Sequence, residues 1–183
     1  MTTLPTLPEL GSRAPEFALP DLHGRVVHLD DIRGEHGTLI MFICNHCPYV
    51  RAVIDRIVED SRTLLAEGIG VAAIMSNDYR AYPADAPDRM RAFAAEHDFP
   101  FPYLLDETQM VARAYEAVCT PEFFGYDADL ALRYRGRLDA SRTTLVPDAR
   151  RELLEAMRRI AATGEGPEEQ VPSMGCSIKW RAA

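Results

Sequence analysis

Apolar and polar positions along the first half of the chain follow first a strand pattern, then a helix pattern. The run 69–75 is apolar without alternation, which predicts a strand buried on both faces, and the run 39–43 predicts most of another strand at 38–43. Between the two runs, apolar residues recur at every third or fourth position, which predicts one amphipathic helix. Pro48 lies in its first turn and Gly68 just after its end, as is usual for helix termini.

The second half of the chain continues the alternation. Its predicted elements are a helix beginning at Pro87, a strand at 103–105, a helix after Asp106 that buries Met110, a hairpin of 122–126 with 130–134, and a helix from Asp148 to Gly164. Two short strands, 17–19 and 26–29, surround a turn at Gly24 near the start. This order predicts an α/β domain with a mixed central β-sheet flanked by helices and with an N-terminal β-hairpin extension.

Length and composition favour one domain. The chain has 183 residues, of which 47% are hydrophobic, enough for one substantial core and too few to require two. We divide it into an extended lead-in at 1–14, a domain at 15–163 and a C-terminal tail at 164–183. No internal repeat or low-complexity segment interrupts this organisation.

The net charge of the chain limits the kinds of partner that it can bind. A net charge of -8 argues against a nucleic-acid-binding or anionic-membrane-binding surface, which would need a basic face. No segment approaches the ~18 consecutive apolar residues of a membrane span, and the N-terminus lacks the basic and apolar regions of a secretory signal. We therefore expect a cytoplasmic protein whose partners are other proteins or small oxidants, with its thiols largely reduced.

Two cysteines carry the strongest chemical signal. Cys44 and Cys47 are separated by Asn45 and His46, directly after the predicted strand and directly before the predicted helix. Unpaired amide donors and the positive end of the helix dipole favour a thiolate at such a position. The spacing also lets the two sulfurs form a small-loop disulfide that thiolate exchange can open and close. The motif therefore predicts a redox-active dithiol, with Cys44 more accessible and more nucleophilic than Cys47.

The competing interpretation of this motif is a structural or metal-binding cysteine pair. Zinc sites usually combine two such pairs, or one pair with two histidines, whereas the remaining cysteines, Cys119 and Cys176, are isolated. We therefore expect neither a metal nor another cofactor. A non-enzymatic metal-binding or redox-sensing module that uses all four cysteines stays open as an alternative.

The order of strand, CxxC, helix and a later Thr120-Pro121 before a hairpin resembles the thioredoxin-like superfamily. The strand pair before the motif and the long segment between Cys47 and Thr120 resemble its redoxin branch. That branch contains the alkyl hydroperoxide reductase and thiol-specific antioxidant proteins and the TlpA/ResA-type thiol reductases. More narrowly, Cys-Asn-His-Cys-Pro and the segment 172–180 are similar to bacterial thioredoxin-family proteins.

This resemblance implies a site and an activity. A cis peptide bond is expected before Pro121, with the backbone of Thr120 facing Cys44 and pairing with an extended segment of a bound protein. The implied activity is thiol-disulfide oxidoreduction: Cys44 attacks a partner disulfide and Cys47 resolves the mixed disulfide. The alternative is a thioredoxin-dependent peroxidase acting on hydroperoxides. The sequence argues against the peroxidase alternative because Ile40 and Cys44 occupy the positions where the peroxidase motif has Pro and Thr.

Three further residues have assigned roles and competing interpretations. An imidazolium at His46 would lower the pKa of a neighbouring thiol and make the disulfide more oxidising, or His46 is an exposed linker residue. Cys119 is either an accessory thiol near the motif or a small buried hydrophobe. Cys176 shares the tail with Trp180, the only tryptophan, which suggests docking onto the body, with Cys176 either an accessory thiol or incidental. Asn77 and Asp78 are expected to form a solvated turn.

Overall fold

A computed structural model describes residues 9–183 of the chain. The predicted lead-in therefore falls partly outside the described residues. The strands are β1 (Ala18–Pro20), β2 (Val26–His28), β3 (Gly37–Phe42), β4 (Ile69–Met75), β5 (Tyr103–Leu105), β6 (Cys119–Thr120), β7 (Glu122–Tyr126), β8 (Leu132–Gly136) and β9 (Cys176–Ser177). The helices are α1 (Leu29–Ile32), α2 (Pro48–Arg51), α3 (Ile54–Ala66), α4 (Pro87–Glu96), α5 (Met110–Ala114) and α6 (Glu152–Thr163).

The central sheet has five strands in the order β5-β4-β3-β7-β8. Strands β5, β4 and β3 run parallel, and β7 and β8 are antiparallel to their neighbours. Strands β1 and β2 form a separate antiparallel hairpin. The predicted α/β architecture, with a mixed central sheet and an N-terminal hairpin, is therefore confirmed.

The period of two along β3 divides the core between the faces of the sheet. Leu39 and Met41 pack into a cluster with the buried faces of α3, α4 and α6. Ile40 and Phe42 pack into the other cluster, which contains the hairpin and α5. Because β3 is buried on both faces, its C-terminal end delivers the following residues into the interior.

Three predicted elements differ in detail. The single helix after the motif is two helices, because the chain tightens at Val53, whose N–H donates to Val50 O instead of continuing the α-helical ladder. The second hairpin strand starts later than predicted, since the Asp127 carboxylate accepts the N–H groups of Asp129 and Ala131 and lengthens the turn. Met110 is 70% exposed, so its predicted burial is wrong; Ala112 is the buried residue of α5.

The tail docks onto the domain, as Cys176 and Trp180 suggested, and does so through a short strand that no sequence pattern indicated. Strand β9 pairs antiparallel with β6, the two-residue strand immediately before Pro121. Ile178, one residue after β9, is buried in the second core cluster. Among residues 9–183, no helix is long and apolar enough to cross a membrane.

Candidate active site: a dithiol beside Thr120

The two cysteines of the motif lie between β3 and α2. Strand β3 ends at Phe42, and Cys47 is the N-cap residue of α2. Both are buried: Cys44 is 1% exposed and Cys47 is not exposed at all. The predicted difference in accessibility is therefore absent, because Cys44 is enclosed as fully as Cys47.

Thr120 contacts both sulfurs. Its Oγ1 lies 3.5 Å from Cys44 Sγ, and the Cys47 thiol reaches its carbonyl oxygen at 3.3 Å. The peptide bond between Thr120 and Pro121 is cis, which confirms the expectation from the resemblance. Strand β9 of the same chain pairs with the Thr120 backbone, so pairing of a bound protein with Thr120 stays a prediction.

The two thiols of the motif have opposite pKa shifts. The neighbouring Cys47, burial and the Asp85 charge raise the pKa of Cys44 well above its ordinary value. The neighbouring Cys44, with contributions from Cys176 and Thr120, lowers the pKa of Cys47 below its ordinary value. The sequence predicted the more nucleophilic thiol at Cys44, whereas the lower pKa belongs to Cys47. Part of the cause is Cys176 in the tail.

His46 pairs with a carboxylate that the sequence analysis missed. Its Nδ1 lies 2.7 Å from Oδ2 of Asp85, which is completely buried, while the His46 side chain is 31% exposed. His46 is therefore neither an isolated linker residue nor the only charged group beside the dithiol. Asp85 lies in the loop between β4 and α4, where no local sequence signal distinguished it from the other polar residues.

Asp85 is fixed by two amide groups. Its Oδ1 accepts the main-chain N–H of Asn45 at 2.8 Å, and its Oδ2 accepts the Asn77 side chain at 3.0 Å. The buried Tyr103 hydroxyl donates to Asn45 Oδ1 at 2.8 Å, which also orients the residue between Cys44 and His46. Asn77 is only 4% exposed, so the predicted solvated turn is wrong at this position. The loop instead positions the motif through the hydrogen bonds of Asn77 and Asp85.

Two clefts border the motif. The larger, about 470 Å³, is lined by Asn45 and His46 together with Arg51 and Arg89. The smaller, about 110 Å³, lies between Tyr49, Pro121 and the tail residues 172–174. Because both cysteines are buried, a reactant must approach along one of these clefts or displace the tail.

The site also assembles a set of metal-binding donors. The sulfur of Cys44, a ring nitrogen of His46 and a carboxylate oxygen of Asp85 all lie within 4.8 Å of one another. Cysteine, histidine and carboxylate ligands suit zinc. Motif spacing could not reveal this set because Asp85 is distant along the chain from Cys44 and His46. Metal binding would occupy the Cys44 sulfur and compete with the amide donors to Asp85.

The two remaining cysteines lie on different sides of β6. Cys176 is opposite Thr120 in the strand pair and packs against the core cluster that contains Cys47. Cys119 is opposite Ser177, and its thiol donates weakly to Pro121 O at 3.8 Å. Burial raises the pKa of Cys119 to about 12, so this thiol stays protonated at neutral pH.

His46→Ala should make the Cys44–Cys47 disulfide a weaker oxidant. We expect its reduction potential to fall by about 30 mV, or roughly 1.4 kcal/mol for two electrons. The negative charge of Asp85 raises the pKa of Cys44, and without the imidazole no cation offsets it. Redox titration of the variant measures the shift, and the exposed His23→Ala serves as the control. An unchanged or higher potential would contradict the prediction.

The sheet order, the dithiol at the start of a helix and the cis-proline that faces it together define a thioredoxin-like protein with a CxxC site. The family is narrower than the fold. The chain belongs to the AhpC/TSA family, whose family model matches residues 10–153.

Comparisons with known proteins cover the chain unevenly. An uncharacterized conserved protein from Geobacillus kaustophilus has a crystal structure with a TM-score of 0.91 and 44% identity, covering 98% of this chain and 95% of that one. Methylamine utilization protein MauD from Paracoccus versutus is 35% identical over 91 residues, 50% of this chain and 40% of MauD. Thiol-disulfide oxidoreductase ResA from Bacillus thuringiensis is 26% identical over 129 residues, 66% of this chain and 65% of ResA. The chain thus spans less than two thirds of the length of these curated relatives.

Proposed function

We propose that this protein is a thiol-disulfide oxidoreductase that uses Cys44 and Cys47 as its dithiol. One observation carries the proposal: both buried sulfurs of the motif contact Thr120, the residue before the cis-proline. The similarity to ResA supports the same reaction class.

In the first step Cys44 attacks and Cys47 is its base. The pKa of Cys44 is raised and that of Cys47 is lowered, so Cys44 first passes its proton to the neighbouring Cys47, which gives a Cys44 thiolate and a Cys47 thiol. The Thr120 carbonyl, 3.3 Å away, accepts the new Cys47 S–H. The Cys44 thiolate then attacks one sulfur of a partner disulfide. A mixed disulfide forms, and the other partner sulfur leaves as a thiolate.

In the second step Cys47 resolves the mixed disulfide. It gives its proton to the departing partner thiolate and attacks Cys44 Sγ. The Cys44–Cys47 bond forms, the bond to the partner breaks, and the second partner sulfur leaves as a thiolate that takes up a proton from solvent. The protein has given the partner two electrons and one proton, so a thiol reductant must restore its dithiol. A partner that carries protein thiols or disulfides is accordingly part of the proposal.

The competing reaction is reduction of hydroperoxides. Membership of the AhpC/TSA family favours it, while Ile40 and Cys44 at the peroxidase-motif positions argue against it. Parallel assays with a protein disulfide such as insulin and with hydrogen peroxide, each with dithiothreitol as reductant, separate the two. We expect turnover of the disulfide well above that of the peroxide. Faster peroxide turnover would overturn the proposed reaction.

The donor set of Cys44, His46 and Asp85 makes a metal-binding module the second candidate. Metal analysis of anaerobically purified protein tests it directly. Zinc near one equivalent per chain, lost in Asp85→Asn, would replace the oxidoreductase proposal by a metal site. Substoichiometric metal together with disulfide turnover supports the dithiol.

Location in the cytoplasm stays a prediction, which cell fractionation would test.

A further inference from the structure

Strand pairing places Cys176 on the dithiol side of the tail. In the antiparallel pair of β6 and β9, Cys176 is directly opposite Thr120. Side chains of directly opposed residues lie on the same face of a pair. The Thr120 side chain contacts Cys44 on that face, so the Cys176 side chain points toward the same cluster. Cys119 and Ser177 point away from it.

Cys176 packs beside the dithiol. It is half-buried and lies against the main core cluster, which contains both Cys44 and Cys47. Its presence helps to lower the pKa of Cys47, while burial and Cys47 raise the pKa of Cys176 to about 11. The thiols of Cys44 and Cys176 therefore both neighbour Cys47.

The position of Cys176 is fixed by its neighbours in the tail. A side chain at Gly175 would place its Cβ 2.0 Å from the Thr120 carbonyl oxygen, so only glycine allows this approach. After β9, Lys179 donates its N–H to Asn77 Oδ1 at 2.8 Å and accepts the N–H of Asp78 at 2.8 Å. Asn77 in turn holds Asp85. The tail is thus part of the network that supports the motif.

We propose that Cys176 is a third redox-active thiol of this site, which forms a reversible disulfide with Cys47 and fastens the tail across the dithiol. This inference rests on the proposed dithiol function. The Cys176 thiolate attacks Cys47 Sγ in the Cys44–Cys47 disulfide. The Cys47–Cys176 bond forms, the Cys44–Cys47 bond breaks, and Cys44 leaves as a thiolate that takes up the proton Cys176 released. One disulfide and one thiol are present before and after, so no outside oxidant is needed.

The bond would change what the site can accept. Strand β9 already occupies the backbone edge of Thr120, the edge that an extended polypeptide would pair with. With Cys176 bound to Cys47 the tail cannot leave, so a protein partner is excluded while Cys44 stays reduced. With Cys44 bound to Cys47 the tail is held by non-covalent contacts alone. The two oxidised forms therefore differ in access for a partner.

Peptide mapping of Cys44→Ser tests the bond without relying on turnover. Trypsin places Cys47 in the peptide 34–51, Cys119 in 114–133 and Cys176 in 160–179. Oxidised glutathione converts two thiols to a disulfide through a mixed disulfide and is itself reduced to two glutathione molecules. After such treatment and digestion without reductant, we expect 34–51 joined to 160–179 in a monomeric chain. Reductant should separate the two peptides.

Two double variants make the result specific. Cys44→Ser combined with Cys119→Ser should keep the linked peptide, and Cys44→Ser combined with Cys176→Ser should lose it. A bond from 34–51 to 114–133, or Cys47 carrying only glutathione, would overturn the inference even if the unmodified protein reduces disulfides normally. Conversely, the linked peptide in a protein without disulfide turnover would overturn the proposed function and leave Cys176 as a redox partner of Cys47.

Discussion

Cys47→Ser is expected to reduce turnover of a protein disulfide by at least about 100-fold, since intramolecular attack corresponds to a thiol concentration far above that of any added reductant. The first step survives, because Cys44 still attacks the partner. The mixed disulfide then persists, since serine cannot displace the partner sulfur. Incubation with a disulfide-containing protein should give a covalent adduct on a non-reducing gel, and peptide mapping should place the bond at Cys44.

Two further variants, Cys44→Ser and Cys119→Ser, serve as comparisons for this prediction. Cys44→Ser should lose turnover and accumulate no adduct at position 47, because the attacking thiol is gone and the tail residue Cys176 packs beside Cys47. Cys119→Ser should retain normal turnover, since this thiol lies on the other side of β6. Accumulation of the partner adduct at Cys47 in Cys44→Ser, with none at Cys44 in Cys47→Ser, would reverse the assigned roles of the two cysteines.

Arg56→Met is expected to lower the free energy of unfolding by about 3 to 5 kcal/mol, the usual cost of removing one partner from a buried ion pair. Arg56 and Asp139 are 7% and 1% exposed, and their charged atoms lie 2.5 Å apart. The guanidinium also donates to Val146 O and Pro147 O, so it joins α3 to the segment between β8 and α6. Methionine fills similar space but leaves the Asp139 carboxylate buried without a cation.

Urea unfolding followed by circular dichroism measures this change. Arg158→Met is a matched control, because its pair with Glu67 lies at the surface and such pairs contribute at most ~1 kcal/mol. Combining Arg56→Met with Asp139→Leu should recover much of the loss, since no unpaired charge stays buried. A destabilisation by Arg56→Met no larger than that of Arg158→Met would show that the pair is not needed.

Sequence patterns were sufficient where neighbouring residues decide the structure. The unbroken apolar runs located β3 and β4 because a strand buried on both faces excludes polar residues along its length. Pro48 and Gly68 bracketed the helical segment after the motif because their backbone preferences act locally. The same patterns were wrong for Met110, since the short helix α5 turns this residue outward.

The sequence by itself determined the fold class and the position of the dithiol at the start of a helix, and the family resemblance implied the cis peptide bond beside it. Only the tertiary structure brought Asp85 to His46 and Cys176 to Cys47. Both arrive from segments without hydrophobic periodicity, whose course depends on contacts with distant parts of the chain. The distribution of charge within the dithiol was decided at the same level, because a pKa depends on the donors and burial that the assembled site supplies.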